Sequence, residues 1–161
     1  MKRHQQLLRH DPDNDQMGDC FRTVIACLLD MRPDQVPHFM ADSKTEMPEV
    51  WCDVDRWLLE HGYRFVDFPM QTNDLGGWLK QMQAAWPDLR WILSGGSPRG
   101  TDHCVIIEGG RITHDPHPDG GGIVEPDSTG HFWMGFLLPV ALHGHRRKFD
   151  EHAASVVEVA R

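Results

Sequence analysis

The chain of 161 residues contains no run of about 18 apolar residues, so no segment reads as a membrane-spanning helix. No C-x-x-C pair occurs among its four cysteines, Cys20, Cys27, Cys52 and Cys104, which argues against a zinc knuckle or a thioredoxin-type dithiol. Cations are scarce: 16 Lys and Arg stand against 24 Asp and Glu, for a net charge of −8. Phosphate contacts need clustered positive charge, so no nucleic-acid partner is expected. Met1 to His10 is basic and polar and holds no apolar h-region, so no signal peptide is expected. Without an export signal, the cysteines are expected as free thiols in a cytoplasmic protein.

What is present supports a packed domain. The hydrophobic content is 40%, with six Trp. A chain of this length buries roughly 70% of its unfolded surface. Eleven His make the net charge depend on pH. Residues 1–142 read as a single domain, and 143–161 as a tail charged at its start and weakly helical at its end. After a turn-rich polar stretch, Asp19 is placed to cap a helix with apolar positions Phe21, Val24, Ile25, Leu28 and Leu29, stopped by Arg32-Pro33. Asp34 to Met40 suggests a short helical turn broken by Pro37. Pro48 suits the first turn of a second helix that ends at Gly62. Tyr63 to Phe68 reads as a strand. Asn73 or Asp74 caps a third helix, which runs to about Ala85. Strands are expected at Trp91–Ser94, His103–Ile107, Arg111–His114 and Phe132–Val140. Helices first and strands after them indicate an α+β fold.

Gly18-Asp19-Cys20-Phe21 is the most informative local feature. It puts Cys20 in the first turn of a helix, where backbone N–H groups and the positive end of the dipole favour thiolate. Gly18 leaves the sulfur open to an approaching substrate. Cys20 also shares a helical face with Val24, Cys27 and Leu28, which suits a plain buried thiol.

A nucleophilic thiol needs a base, and the base needs an orienting group. The segment from Asp102 to Pro116 reads as a hairpin bending at Gly109-Gly110, with His103 on its first strand and Asp115 at the end of its second. A two-residue loop pairs Glu108 with Arg111 and puts Asp115 on the face away from His103. A three-residue loop pairs Ile107 with Arg111 and sets His103 opposite Asp115. A His–Asp couple calls for the second.

Gly18-Asp19-Cys20, His103-Cys104-Val105-Ile106, His114-Asp115-Pro116 and Val36-Pro37-His38-Phe39 together resemble the papain-like cysteine peptidase superfamily. The chain is most similar to its compact microbial and phage forms, such as bacteriocin-leader peptidases, over about Gln6 to Leu138. The resemblance implies a nucleophile helix packed on an antiparallel sheet and a Cys–His–Asp triad. Cys20 would be the nucleophile, His103 the general base and acid, and Asp115 the orienter. It also implies a glutamine whose amide joins the Cys20 N–H in an oxyanion hole. Gln6 is favoured for that role, and Gln16, closer to Cys20 than the papain spacing, is its rival. The implied function is a cysteine-dependent hydrolase acting on a peptide or amide-containing substrate, needing no cofactor or metal. Two alternatives stand beside it: a catalytically silent binding or inhibitor protein of the same fold, and a metal-dependent hydrolase using His114 and His117.

Other segments carry weaker signals. Asp119 and His131 extend the possible ligand set around His114 to His117, in a stretch that two prolines and a glycine run mark as a loop beside a cleft. Ser94 to Gly100 lacks the ending of a phosphate loop but is placed to line a substrate groove. His143 to Lys148 reads as a short solvated basic patch. Trp51 and Trp57 read as core residues, and of Phe132 and Trp133 one must face outward or into a cleft.

Overall fold

A computed structural model of the chain describes residues 1–41 and 46–140. The 143–161 tail and its basic run lie outside the described residues. Three helices form: α1 (Cys20–Leu28), α2 (Met47–Glu60) and α3 (Leu75–Ala85). Five strands form: β1 (Tyr63–Met70), β2 (Arg90–Gly96), β3 (Asp102–Glu108), β4 (Arg111–His114) and β5 (Phe132–Pro139). The strands make one antiparallel sheet in the order β1-β5-β2-β3-β4, so the class is α+β. Among the described residues, no helix is long and apolar enough to cross a membrane.

The two faces of the sheet are both covered. Ile92, Cys104 and Ile106 point to the face where α1 and α2 supply Val24, Ile25, Val54 and Leu58. Trp91, Leu93, Val105 and Ile107 point to the other, against Leu75, Trp78, Leu79 and Met82 of α3. A central strand buried on both faces has no polar side to present, so β2 and β3 read as apolar runs rather than as alternating ones. Trp51 and Trp57 pack at the margin of the first core, and Phe132 is buried in the second. Trp133 is half-buried and donates its indole N–H to Asp127 at 2.7 Å.

Local signals place most boundaries. Pro48 lies in the first turn of α2, and Gly62 follows that helix with a left-handed φ of 81°. Asp74 caps α3 by accepting the Gly77 N–H at 2.8 Å. Two expectations need correction. Helix α1 ends at Leu28, before Arg32-Pro33, because Asp30 turns left-handed at φ 56°. The helical turn expected within Asp34–Met40 is instead a three-residue 3-10 turn at Pro33–Gln35.

Candidate active site

Cys20 is the first residue of α1, half-buried, at the N-terminal end of the helix. Asp19 sits at the cap position but does not cap. Its carboxylate is fully buried and accepts the backbone N–H groups of Leu8 at 2.9 Å and Leu7 at 3.3 Å, and the Arg22 guanidinium at 2.6 Å. The reason is competition: an N-terminal strap crosses this helix end, and its N–H groups and Arg22 take the oxygens that a cap would use. The strap is also tied to Asp30 through Lys2 N–H at 2.6 Å, to the Cys27 sulfur through His4 N–H at 3.2 Å, and to Pro116 through Gln6 N–H at 2.9 Å.

That strap carries Gln6 to the cleft that also exposes Cys20 and His103. The Gln6 amide nitrogen donates to the Leu8 carbonyl at 2.8 Å, and its Oε1 is buried with no partner. Gln16 is not on the cleft; its amide donates to the Arg9 carbonyl at 2.6 Å, and its backbone pairs with Asp11. Of the two glutamines, only Gln6 lines the cleft that Cys20 also lines.

His103 is the second residue of β3 and is 5% exposed. Its Nε2 lies 2.8 Å from Asp115 Oδ1, which leaves Nδ1 for the Cys20 sulfur, with which the ring also hydrogen-bonds. Asp115 is itself held: Oδ1 accepts the His117 N–H at 2.8 Å and Oδ2 the Gly122 N–H at 2.9 Å.

The couple forms by a route the hairpin reading did not contain. The loop has two residues, not three: Glu108 pairs with Arg111, and Gly109 and Gly110 take φ of 57° and 67°. Continued regularly, that register would put Asp115 on the α1 face of the sheet. A bulge intervenes, because Ile107 pairs with Ile112 but Ile106 with His114, leaving Thr113 as the extra residue. One inserted residue exchanges the faces of everything after it. His114 turns to the α1 face and bonds through Nε2 to the His4 carbonyl at 2.7 Å. Asp115 turns to the face of His103.

The charges follow from this geometry. A hydrogen bond from Cys104 and the adjacent His103 outweigh burial and hold the Cys20 thiol well below its ordinary range. Cys104 itself is pushed well above that range by burial and by the neighbouring sulfur. Burial opposes a charged His103 ring, but Asp115 and Cys20 prevail and raise it to about 9. Burial likewise opposes the Asp115 carboxylate, yet His103 and the two backbone N–H groups bring it down to about 2. The three shifts all favour the same arrangement, thiolate, imidazolium and carboxylate in a row.

The cleft above this row has a volume of about 760 Å³. Arg99 and Gly100, from the loop after β2, line it, as do His117 and Asp119 from the loop after β4. The candidate metal ligands do not converge. His114 is taken up by the strap, the His117 Nδ1 accepts the Asp119 N–H at 3.2 Å, and His131 sits with Thr129 and Gln71. Among the described residues, no three His, Cys, Asp or Glu side chains form a group able to hold a metal.

Sequence reasoning missed two contributors. The role of Cys104 was available from alternation, since the residue after His103 on a strand must face α1. The anchoring of the strap by Asp19 had no local signal, because Leu7 and Leu8 lie more than ten residues away; of the partners of Asp19 described above, only Arg22, three residues on, is local. No protein-family model, curated protein or solved structure matches the chain.

Proposed function

We propose that the protein is a cysteine-dependent hydrolase of papain-like design that cleaves a peptide or amide bond through an acyl-thioester. One observation carries the reading: His103 is held between the Asp115 carboxylate and the Cys20 thiol at the head of α1, on an open cleft. The Cys20 thiolate attacks the substrate carbonyl carbon, and a C–S bond forms. In this reading the Cys20 N–H receives the developing oxyanion, and Gln6, on the same cleft, joins it through the amide N–H not held by the Leu8 carbonyl. His103 gives its proton to the departing nitrogen as the C–N bond breaks. The ring, now neutral, takes a proton from water, whose oxygen attacks the thioester and releases the acid and Cys20. Asp115 keeps Nε2 engaged, so that Nδ1 exchanges protons with the reacting atoms throughout.

Alkylation with iodoacetamide near neutral pH tests this. Cys20 is expected to react fastest, ahead of the exposed Cys52, with Cys27 and Cys104 protected until denaturation. His103→Ala should remove the advantage of Cys20. Labelling of Cys20 no faster than Cys52, and indifferent to His103→Ala, would leave a catalytically silent fold instead.

A further inference from the structure

We propose that the wall of the cleft formed by Arg99 and His117 is a subsite for a carboxylate on the substrate. The inference rests on the hydrolase reading and names the class of substrate it would take: an amide bearing one carboxylate close to the scissile bond.

The first observation is the state of Arg99. Six arginines each hold a carboxylate: Arg9, Arg22, Arg32, Arg56, Arg64 and Arg90. Arg3, Arg99 and Arg111 make no ion pair among the described residues, and of these three only Arg99 lines the cleft. Its guanidinium is nevertheless fixed. One N–H donates to the Gly120 carbonyl, and its backbone N–H reaches Ser97 Oγ at 3.3 Å. Gly121, at φ 104°, lies so close that an added Cβ would meet Pro98 at 2.8 Å and the Arg99 Nη1 at 3.3 Å. The glycine run after His117 thus brings its backbone against Arg99 and ties down one arm of a guanidinium that lines the cleft. A planar guanidinium with free donors is matched to a carboxylate.

The second observation is His117. It is 8% exposed, on the cleft wall, with its ring centroid 6.1 Å from that of His103. Because Nδ1 accepts the Asp119 N–H, the ring proton resides on Nε2. Burial and then the positive charge of Arg99 lower the ring's pKa against the opposing Asp119 carboxylate, which favours the neutral ring. His117 therefore offers one fixed neutral donor beside Arg99.

The charge balance selects the ligand. Arg9 is already matched by Asp119 at 3.3 Å. The remaining carboxylate of the cleft, Asp102, makes no ion pair with Arg99 and has Asp127, the Ser128 backbone and Cys20 as its electrostatic neighbours. Arg99 is left as one uncompensated positive charge, which suits a monoanionic carboxylate better than a phosphate dianion.

Two arms test the subsite. In the first, the rate of Cys20 alkylation by iodoacetate is divided by that by iodoacetamide, reagents that differ by a carboxylate against an amide. Arg99→Gln is expected to lower this ratio about tenfold, the lower range of a charge-assisted pair. Arg111→Gln, an exposed arginine off the cleft, should leave it unchanged. In the second, a Cys20→Ala variant is titrated calorimetrically with acetyl-Gly-Asp-amide, acetyl-Gly-Gly free acid and neutral acetyl-Gly-Asn-amide. Tighter binding of the first identifies an acidic side chain as the source of the carboxylate, and of the second a chain terminus. Equal binding of all three, with a ratio insensitive to Arg99→Gln, overturns the subsite. An inert Cys20 sinks the hydrolase reading alone, since the second arm does not use the thiol.

Discussion

Replacing Asp115 by asparagine keeps the size of the side chain and removes the charge beside His103. The move of His103 from 6.5 to about 9 corresponds to about 3 kcal/mol in favour of the charged ring. Burial opposes that move, so Asp115 and Cys20 together supply at least this much. An equal division assigns Asp115 about 1.5–2 kcal/mol, somewhat more than a factor of ten in the protonation equilibrium. The His103 midpoint, followed by NMR of the ring Cε1–H, should therefore fall by about one unit or slightly more in Asp115→Asn. Cys20 should lose part of its thiolate population, and alkylation near neutral pH should slow. The fold should also weaken by about 1–3 kcal/mol, because one amide oxygen cannot serve the His117 and Gly122 N–H groups that two carboxylate oxygens accept. The pH dependence has a definite sign. A folded-state value raised above 6.5 makes the stabilisation complete below pH 6.5 and lost as pH rises through about 9. Cys20, unprotonated in the fold and protonated when unfolded over much of the same window, gains what His103 loses, so wild-type urea stability should stay nearly flat there, and a steep decline would show that the two groups are not a charged pair. A midpoint that stays near 9 in the variant would refute the claim that Asp115 holds the ring charged.

Three further outcomes follow from the same contacts. Cys104→Ala should raise the Cys20 titration, read from ultraviolet thiolate absorbance, and Cys104→Ser less so, because a hydroxyl still donates; no change in the alanine variant would remove Cys104 from the site. Asp19→Ala should cost about 3–5 kcal/mol in urea unfolding, since it strands Arg22 and two strap N–H groups; faster amide exchange at Leu7 and Leu8 should accompany it, and a loss below about 1 kcal/mol would contradict the anchor. Gly110→Ala combines a φ of 67° with a Cβ that would come 2.5 Å from the Leu79 carbonyl oxygen, so it should lower stability by about 1–3 kcal/mol, and an unchanged melting temperature would count against the turn.

Much of the scaffold was legible because its causes are local. Pro48, Gly62 and Asp74 punctuate α2 and α3 through the conformations and caps those residues favour. The apolar runs of β2 and β3 report burial on both faces. Cys20 at a helix start, His103 on a strand and Asp115 after a hairpin were visible as residue types in an order that acyl-transfer chemistry can use. The end of α1 was not, because its stop is a left-handed Asp30 held by contacts with the N-terminal strap.

The amino-acid order alone determined which segments become helices and strands, that the molecule is acidic, and which thiol stands at a helix N-terminus. Backbone preference, side-chain period and charge are all carried by neighbours along the chain. Tertiary packing decided the rest: the bulge at Thr113 that turns Asp115 toward His103, the strap that carries Gln6 and not Gln16 to the cleft, and the sulfur of Cys104 against that of Cys20. Each of these depends on which surfaces meet across the sheet and at the head of α1, and contacts between residues far apart in the chain leave no periodic trace in it.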